Sequence, residues 1–320
     1  MNNYDPFDTM TFTYDKCFLC GTPLNVGNYT QEHIYPKWLQ RQFDLWNKDL
    51  ILLNGSKIKY KSLKIPCCNK CNKILSKEIE KPIKEAVKRG YDEFKNLDND
   101  IIFKWLNKLS YAMLFKELSL RIDVSNNIYT PEMLKEHKMQ FTFLKSTISK
   151  AEYINKPYSV LIFKIKQNEQ FPYWASDNTF NKTFFMILND IGIIAHLMDN
   201  GSQKDFFMEH KDMSELLTKE LHRIQFYELC AKFSYKAELF YRNPAYIITM
   251  DKDEKNINSI ISHNISGYMY DDWIQETYAK YLAHFLKPWG IKFSDIYVDD
   301  EHVMSWLRNE DMSFKEILDD

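Results

Sequence analysis

Two Cys-x-x-Cys pairs carry the clearest chemistry in this sequence. Cys17-Phe-Leu-Cys20 opens the stretch, and Cys68-Asn-Lys-Cys71 closes it, followed at once by Asn72. A Cys-x-x-Cys turn presents two sulfurs on one side of a tight loop, and two such turns supply the four soft ligands of a tetrahedral zinc site. One pair alone would also suit a redox motif; a second in the same stretch favours metal. The long gap between the pairs suits two knuckles brought together by an intervening hairpin. The plain alternative is a pair of reduced, metal-free buried turns. Cys67 adjoins Cys68 as a competing sulfur, but only Cys68 has the two-residue spacing to Cys71. Between the pairs lies Glu32-His33-Ile34-Tyr35-Pro36. Neighbours on an extended strand point to opposite faces, so a bulge or a strand end is needed for Glu32 and His33 to serve one site. The alternative is a surface glutamate beside a core histidine. Asn72 is placed to start a helix over Lys73–Lys88, close to the strand of His33, or simply to act as its N-cap.

Taken in this order, the motifs resemble the four-cysteine, zinc-bound type of the HNH (ββα-metal) endonuclease superfamily, which includes phage junction resolvases and the HNH domain of CRISPR effectors. The resemblance covers about the first quarter of the chain. It implies that His33 is the general base that activates water. It implies that Glu32 and Asn72 hold a catalytic divalent metal, Mg²⁺ or Mn²⁺, and that Cys17, Cys20, Cys68 and Cys71 hold a structural zinc. The implied activity is metal-dependent endonucleolytic hydrolysis of phosphodiester bonds in nucleic acid, DNA by resemblance, in a setting such as phage (antiviral) defence or restriction. The chemistry is coherent: an imidazole accepts a proton near neutral pH, and a hard cation on oxygen ligands neutralises the developing charge. Two departures stand out. Glu32 occupies a place where the family more often has Asp. The stretch Lys61-Ser-Leu-Lys-Ile-Pro66 lacks the motif's middle Asn, for which Ser62 and Asn54 are the substitutes at hand. The reading from another class is a non-catalytic zinc module that binds nucleic acid or a protein partner.

Around these residues the sequence predicts a strand within Asn28–Trp38 and a short helix from Pro36 to Phe43, with proline in its first turn. Strands are expected at Leu50–Leu53 and Ile58–Ile65 about the turn Asn54-Gly55. Lys57, Lys59, Lys61 and Lys64 nearly alternate along the second strand, as a nucleic-acid groove or a solvated face. Glu78 and Glu80 follow on the helix after Asn72, either of them a possible further metal ligand, and Pro82 should kink or divide that helix. The polar stretch Asn96–Asp100 reads as a domain boundary. Beyond it, Ile102, Trp105, Leu106, Leu109, Met113 and Leu114 mark an amphipathic helix to about Leu120. Helix is also expected over 131–150, 214–240 and 273–286. Strands are expected at Tyr158–Lys166, Thr183–Leu188, Ile191–Met198 and Ala245–Met250.

The expected fold class is therefore α+β. A zinc-stapled ββα-metal (HNH) domain spans residues 1–95, and a mixed α+β domain spans 100–320, its role recognition, dimerisation or sensing. Residues 1–95 hold 16 Lys and Arg against 11 Asp and Glu, a net +5 that leaves −7 for the rest of a chain whose total is −2. A basic first domain suits a phosphate backbone. Six cysteines, five of them before residue 72, fit metal binding in a reducing compartment better than disulfides. Cys230 and His196 read as buried core residues. The absence of a long apolar run or of a signal-peptide pattern gives a cytoplasmic expectation with no membrane partner. The second domain is the candidate for contacts with a regulatory partner or another copy of the chain.

Overall fold

The computed structural model describes residues 4–53, 55–120, 131–241, 244–253, 256–263 and 269–317. It is mixed α+β, as composition and periodicity suggest, and it divides into two compact units. The first comprises Met1–Asn155 and Tyr246–Ser262; the second comprises Lys156–Ala245 and His263–Asp320. The boundary expected at Asn96–Asp100 is therefore displaced. That polar stretch is a helix-cap loop inside the first unit, where the Asp98 carboxylate accepts from Asp100 N at 2.9 Å. An Asp/Asn cluster looks alike in an N-cap and in a linker, because both keep backbone groups solvated or capped.

The first unit is organised around an antiparallel ribbon, Tyr29–His33 against Lys64–Cys68. The predicted strand Ile58–Ile65 is split in two. Lys57–Lys59 pairs with Asp49–Ile51, a 3₁₀ turn over Tyr60–Ser62 reverses direction, and Lys64–Cys68 then joins the ribbon. Asn54, in the expected hairpin turn and a substitute for the motif's middle Asn, lies outside the described residues. The helix after the ribbon begins at Asn69, not at Asn72, with Cys68 as N-cap. It continues through a π turn, Ser76–Glu80, into Lys81–Arg89. Pro82 brings no N–H to the helical ladder, and the wider π turn absorbs the mismatch without a break.

The long helix Asn99–Ser119 is buried on nearly every side, so it is a core helix rather than an amphipathic surface one. Its polar side chains must then find partners inside. Asn107 Nδ2 donates to Gln140 O at 2.8 Å, on the neighbouring helix Pro131–Ser149. A three-stranded sheet completes this unit: Ile257–Ser262 lies between Tyr246–Met250, antiparallel, and Glu152–Ile154, parallel.

The second unit holds a five-stranded sheet in the order Glu220–Leu221, Ser159–Ile165, Ile191–His196, Thr183–Leu188, Tyr173–Asn178. The two strands Thr183–Leu188 and Ile191–His196 are buried along their whole length, and Asn189 turns the hairpin between them at φ 56°. Gly192 is there for space: a Cβ at this point would lie 2.6 Å from the Phe226 ring and 2.7 Å from Ile165 Cδ1. The helix expected over 214–240 starts only at Arg223. His222 caps it, and Gln225 returns a bond to the His222 N–H in a capping box. Cys230 and His196 are buried, as expected.

Candidate metal centre and the His33 site

The sulfurs of Cys17, Cys20, Cys68 and Cys71 all lie within 4.8 Å of one another. Local backbone chemistry shapes the first knuckle. Cys17 N donates to Thr22 O at 2.9 Å and Gly21 N to Cys17 O at 2.9 Å, with Gly21 in the left-handed region at φ 68°. The second knuckle is the first turn of the Asn69–Leu75 helix, whose Cys71 N–H points at Cys68 Sγ across 3.5 Å. Phe18 N donates to Pro66 O at 2.9 Å and ties one knuckle to the strand that leads into the other. Four sulfurs about 2.3 Å from a common zinc ion stand about 3.8 Å apart, and Cys20 Sγ lies 3.7 Å from Cys68 Sγ. The donor set fits a tetrahedral zinc. Cys67 stays outside it, its thiol turned to Cys68 O at 3.5 Å. Hydrogen bonds to Cys17 and Cys20, then burial, push the Cys71 thiol far up. Four thiolates this close repel one another unless a cation sits among them, and coordination deprotonates each thiol.

The ribbon carries the other expected site residues. Thr30 and Glu32 fall on one face by the pleat, and Gln31 and His33 on the other. Asn72, on the fourth residue of its helix, donates from Nδ2 to Thr30 Oγ1 at 3.1 Å, which brings it to the Glu32 face. Asn72 Oδ1 accepts no hydrogen bond among the described residues. His33 is the last residue of its strand, opposite Lys64 in continuous register. Its imidazole stacks on Trp46, ring centroids 6.1 Å apart, and its Nε2 is buried without a partner. Burial, then the charges of Lys64, Lys37 and Lys108, push its pKa down to about 4, so it is neutral at pH 7.

Glu32 has a partner that sequence reading missed. Lys108, from the long buried helix, places its Nζ 2.6 Å from Glu32 Oε1 and 2.9 Å from Glu80 Oε1. The same ammonium donates to His33 O at 2.8 Å and Ile34 O at 2.9 Å. Burial opposes the charge on Lys108, but the attraction of two carboxylates outweighs it and its pKa rises. Burial also pushes the Glu32 carboxyl up, to about 7, against the pull of Lys108 and together with repulsion from Glu80. Both directions follow from one count: a single ammonium serves two carboxylates, and the carboxylate in excess takes up a proton. Lys108 does carry a signal in the sequence. It falls at helical spacing with Trp105, Leu109 and Ala112, on an apolar stripe where a lysine must find buried oxygens.

The four cysteines fit a structural metal. The catalytic-ion position does not present an open cage: the carboxylate expected to hold the ion faces an ammonium. Glu78, the other helix glutamate, pairs with Lys77 and Lys150 at 3.6 and 3.4 Å. Among the described residues, no further group of three or more His, Cys, Asp or Glu side chains forms a metal-sized cluster. Of the four alternating lysines, Lys59 is tied to Asp49 at 3.2 Å and Lys61 to Asn47 Oδ1 at 2.8 Å, which makes them partners of their own hairpin. No described helix is long and apolar enough to cross a membrane. Comparison with known protein families, curated proteins and solved structures gives no match.

Proposed function

We propose that the first unit is an HNH-type endonuclease that hydrolyses phosphodiester bonds, with DNA as its substrate class. The observation that carries this reading is the common frame of the two sites. The ribbon and helix that close the four-sulfur cluster also hold His33 at a strand end and Asn72 against the same strand. The His33 imidazole is neutral with a buried, unpartnered Nε2, so it can accept a proton. Lys37, Lys64 and Lys108, whose field would favour an anionic diester, also weaken it as a base. In the proposed step, His33 Nε2 takes a proton from water as the water oxygen bonds to phosphorus. The opposite P–O bond breaks, and the departing oxygen takes up a proton from solvent water. Asn72 and Glu32 are the residues that would hold the Mg²⁺ or Mn²⁺ that the resemblance implies, and such an ion would supply neutralisation of negative charge. Asn72 Oδ1 accepts no bond among the described residues, while Glu32 Oε1 is engaged by Lys108.

The test is cleavage of plasmid DNA, single-stranded DNA and RNA by the zinc-loaded full chain, with Mg²⁺, Mn²⁺ or EDTA. We expect metal-dependent cutting of DNA by the wild type and none by His33→Ala, with folding and zinc content unchanged. No cutting of any substrate by the wild type refutes the nuclease. The Glu32–Lys108–Glu80 cluster favours a second reading, a zinc module that binds nucleic acid without cutting it. A buried carboxylate satisfied by lysine is a structural pairing. That reading expects His33→Ala to bind nucleic acid as the wild type does.

A further inference from the structure

The main chain of His33 is fixed twice over. Its carbonyl accepts from Lys108 Nζ at 2.8 Å, and the next residue, Ile34, donates its N–H to Leu63 O at 3.0 Å. The ring has no such anchor. Its Nε2 is buried without a partner, and no hydrogen bond reaches either ring nitrogen among the described residues. A histidine that works as a base commonly has its second nitrogen bonded to a carbonyl or carboxylate, which sets the orientation of the ring. The torsion that turns an imidazole about its stem is broad, so without that bond another group has to set the plane.

Trp46 is in place to do so. Its ring lies 25° from parallel to the imidazole at a centroid distance of 6.1 Å, within the range of offset stacking. Among the described residues no other aromatic ring packs on His33. The loop that presents Trp46 has little freedom. It follows the helix Lys37–Gln42 and passes through Asp44 in the left-handed region, at φ 50°. Phe43 and Leu45 are both buried and pin it on either side of Asp44. Leu45 N donates to Gln40 O at 2.7 Å, Lys48 N to Leu45 O at 2.9 Å, and Lys61 N to Trp46 O at 3.3 Å. The Arg41 guanidinium sits over the Trp46 ring, 5.9 Å from its centroid, a cation–π contact that steadies the indole. Trp46 itself is only half-buried, so this anchoring is not simply that of a core side chain.

We propose that Trp46 is a positioning residue for His33: its indole face sets the plane of the imidazole in place of the missing hydrogen bond, and so sets the direction in which Nε2 takes a proton from water. The proposal rests on the nuclease reading and extends it to a residue outside the motif. Trp46 acts through His33 and touches no reacting atom. A misplacement of about 1 Å at a reacting group costs on the order of 10²-fold in rate. Loss of the stack should therefore appear in kcat and leave substrate binding in place. The rival account is that Trp46 only fills space beside His33. Leucine fills space without a flat face, whereas phenylalanine keeps the face, so the pair separates the two accounts.

The test compares wild type, Trp46→Phe and Trp46→Leu as zinc-loaded full chains, with two readouts. The first is the kinetics of DNA cleavage with Mg²⁺ or Mn²⁺. Trp46→Leu should lower kcat by roughly 10- to 100-fold with KM within about twofold of wild type. Trp46→Phe should keep kcat within about threefold, because a stacking face remains. The second readout needs no cleavage: nuclear magnetic resonance of the chain with isotope-labelled histidine, the His33 ring signals assigned with His33→Ala. The ring current of Trp46 should shift the His33 ring protons upfield in the wild type, less in Trp46→Phe, and not in Trp46→Leu. If Trp46→Leu loses its zinc, Trp46→Met supplies the same flexible, non-aromatic comparison. The proposal is overturned if Trp46→Leu cuts as fast as wild type, if its loss lies in KM alone, if leucine and phenylalanine behave alike, or if the His33 ring protons of the wild type show no shift. Failure of the nuclease reading has a different signature: the wild type cuts no substrate, and the proposal falls with it.

Discussion

Lys108→Met should destabilise the first unit strongly, and more at pH 8 than at pH 5. Methionine fills the space of the lysine stem, so packing is nearly conserved and the ammonium is what is lost. Four oxygens then lose their donor: Glu32 Oε1, Glu80 Oε1, His33 O and Ile34 O, now 2.6 to 2.9 Å from Nζ. Removing one partner of a buried ion pair costs about 3–5 kcal/mol, because the remaining charge stays buried and unpaired. For a unit of this size that lowers the unfolding midpoint by roughly 10 °C. The pH dependence has a definite sign. Glu32 has a carboxyl raised from 4.5 to about 7 in the folded protein. Its contribution to stability is thus complete below about pH 4.5 and is lost as pH rises through about 7. Without Lys108 the carboxyl rises further, so the variant loses less at pH 5, where it takes up a proton, than at pH 8. Two units need not unfold together, so the readout must belong to the first. Zinc release into a chromogenic chelator during a thermal ramp meets that need. Adding Glu32→Gln and Glu80→Gln to Lys108→Met should recover most of the loss at pH 8. A loss below about 1 kcal/mol, the scale of an exposed pair, or an equal loss at both pH values, would refute the buried-charge account.

Further outcomes follow from other parts of the molecule. Cys71→Ser should release the metal and unfold the first unit, seen as loss of bound zinc and of the near-ultraviolet signal from Trp38, Trp46 and Trp105. Gly192→Ala should destabilise the second unit by about 1–3 kcal/mol, since the new methyl meets two fully buried side chains, Phe226 and Ile165; urea unfolding followed by Trp174 fluorescence would measure it. Asp199 is buried, and its carboxyl is pushed up to about 7 by burial despite its bond from Ser159 Oγ at 2.6 Å. Its stabilising share is present below about pH 3.8 and lost as pH rises through about 7, so Asp199→Asn should flatten the stability profile of the second unit across that window.

Much of the local chemistry was legible in the residues themselves. The spacing of Cys17, Cys20, Cys68 and Cys71 suffices to predict a four-sulfur cluster, because a tight turn constrains where two sulfurs separated by two residues can point. Apolar residues at helical spacing marked the long helix Asn99–Ser119, and two short apolar runs about Asn189-Asp190 marked the hairpin, although burial there covers nearly every face rather than one. What neighbours in sequence cannot express was decided by tertiary structure. Lys108 lies 75 positions from His33 and 28 from Glu80, yet its ammonium binds both. Its presence turns a glutamate that reads as a metal ligand into one member of a buried charge cluster. The division into units escaped for a related reason. The chain leaves the first unit after Asn155 and returns for Tyr246–Ser262, and a strand that pairs in parallel with Glu152–Ile154 has no local signal of its distant partner. Local patterns record which side chains must be buried or coordinated. Which oxygen meets which ammonium is settled only when helices remote in sequence close on one another.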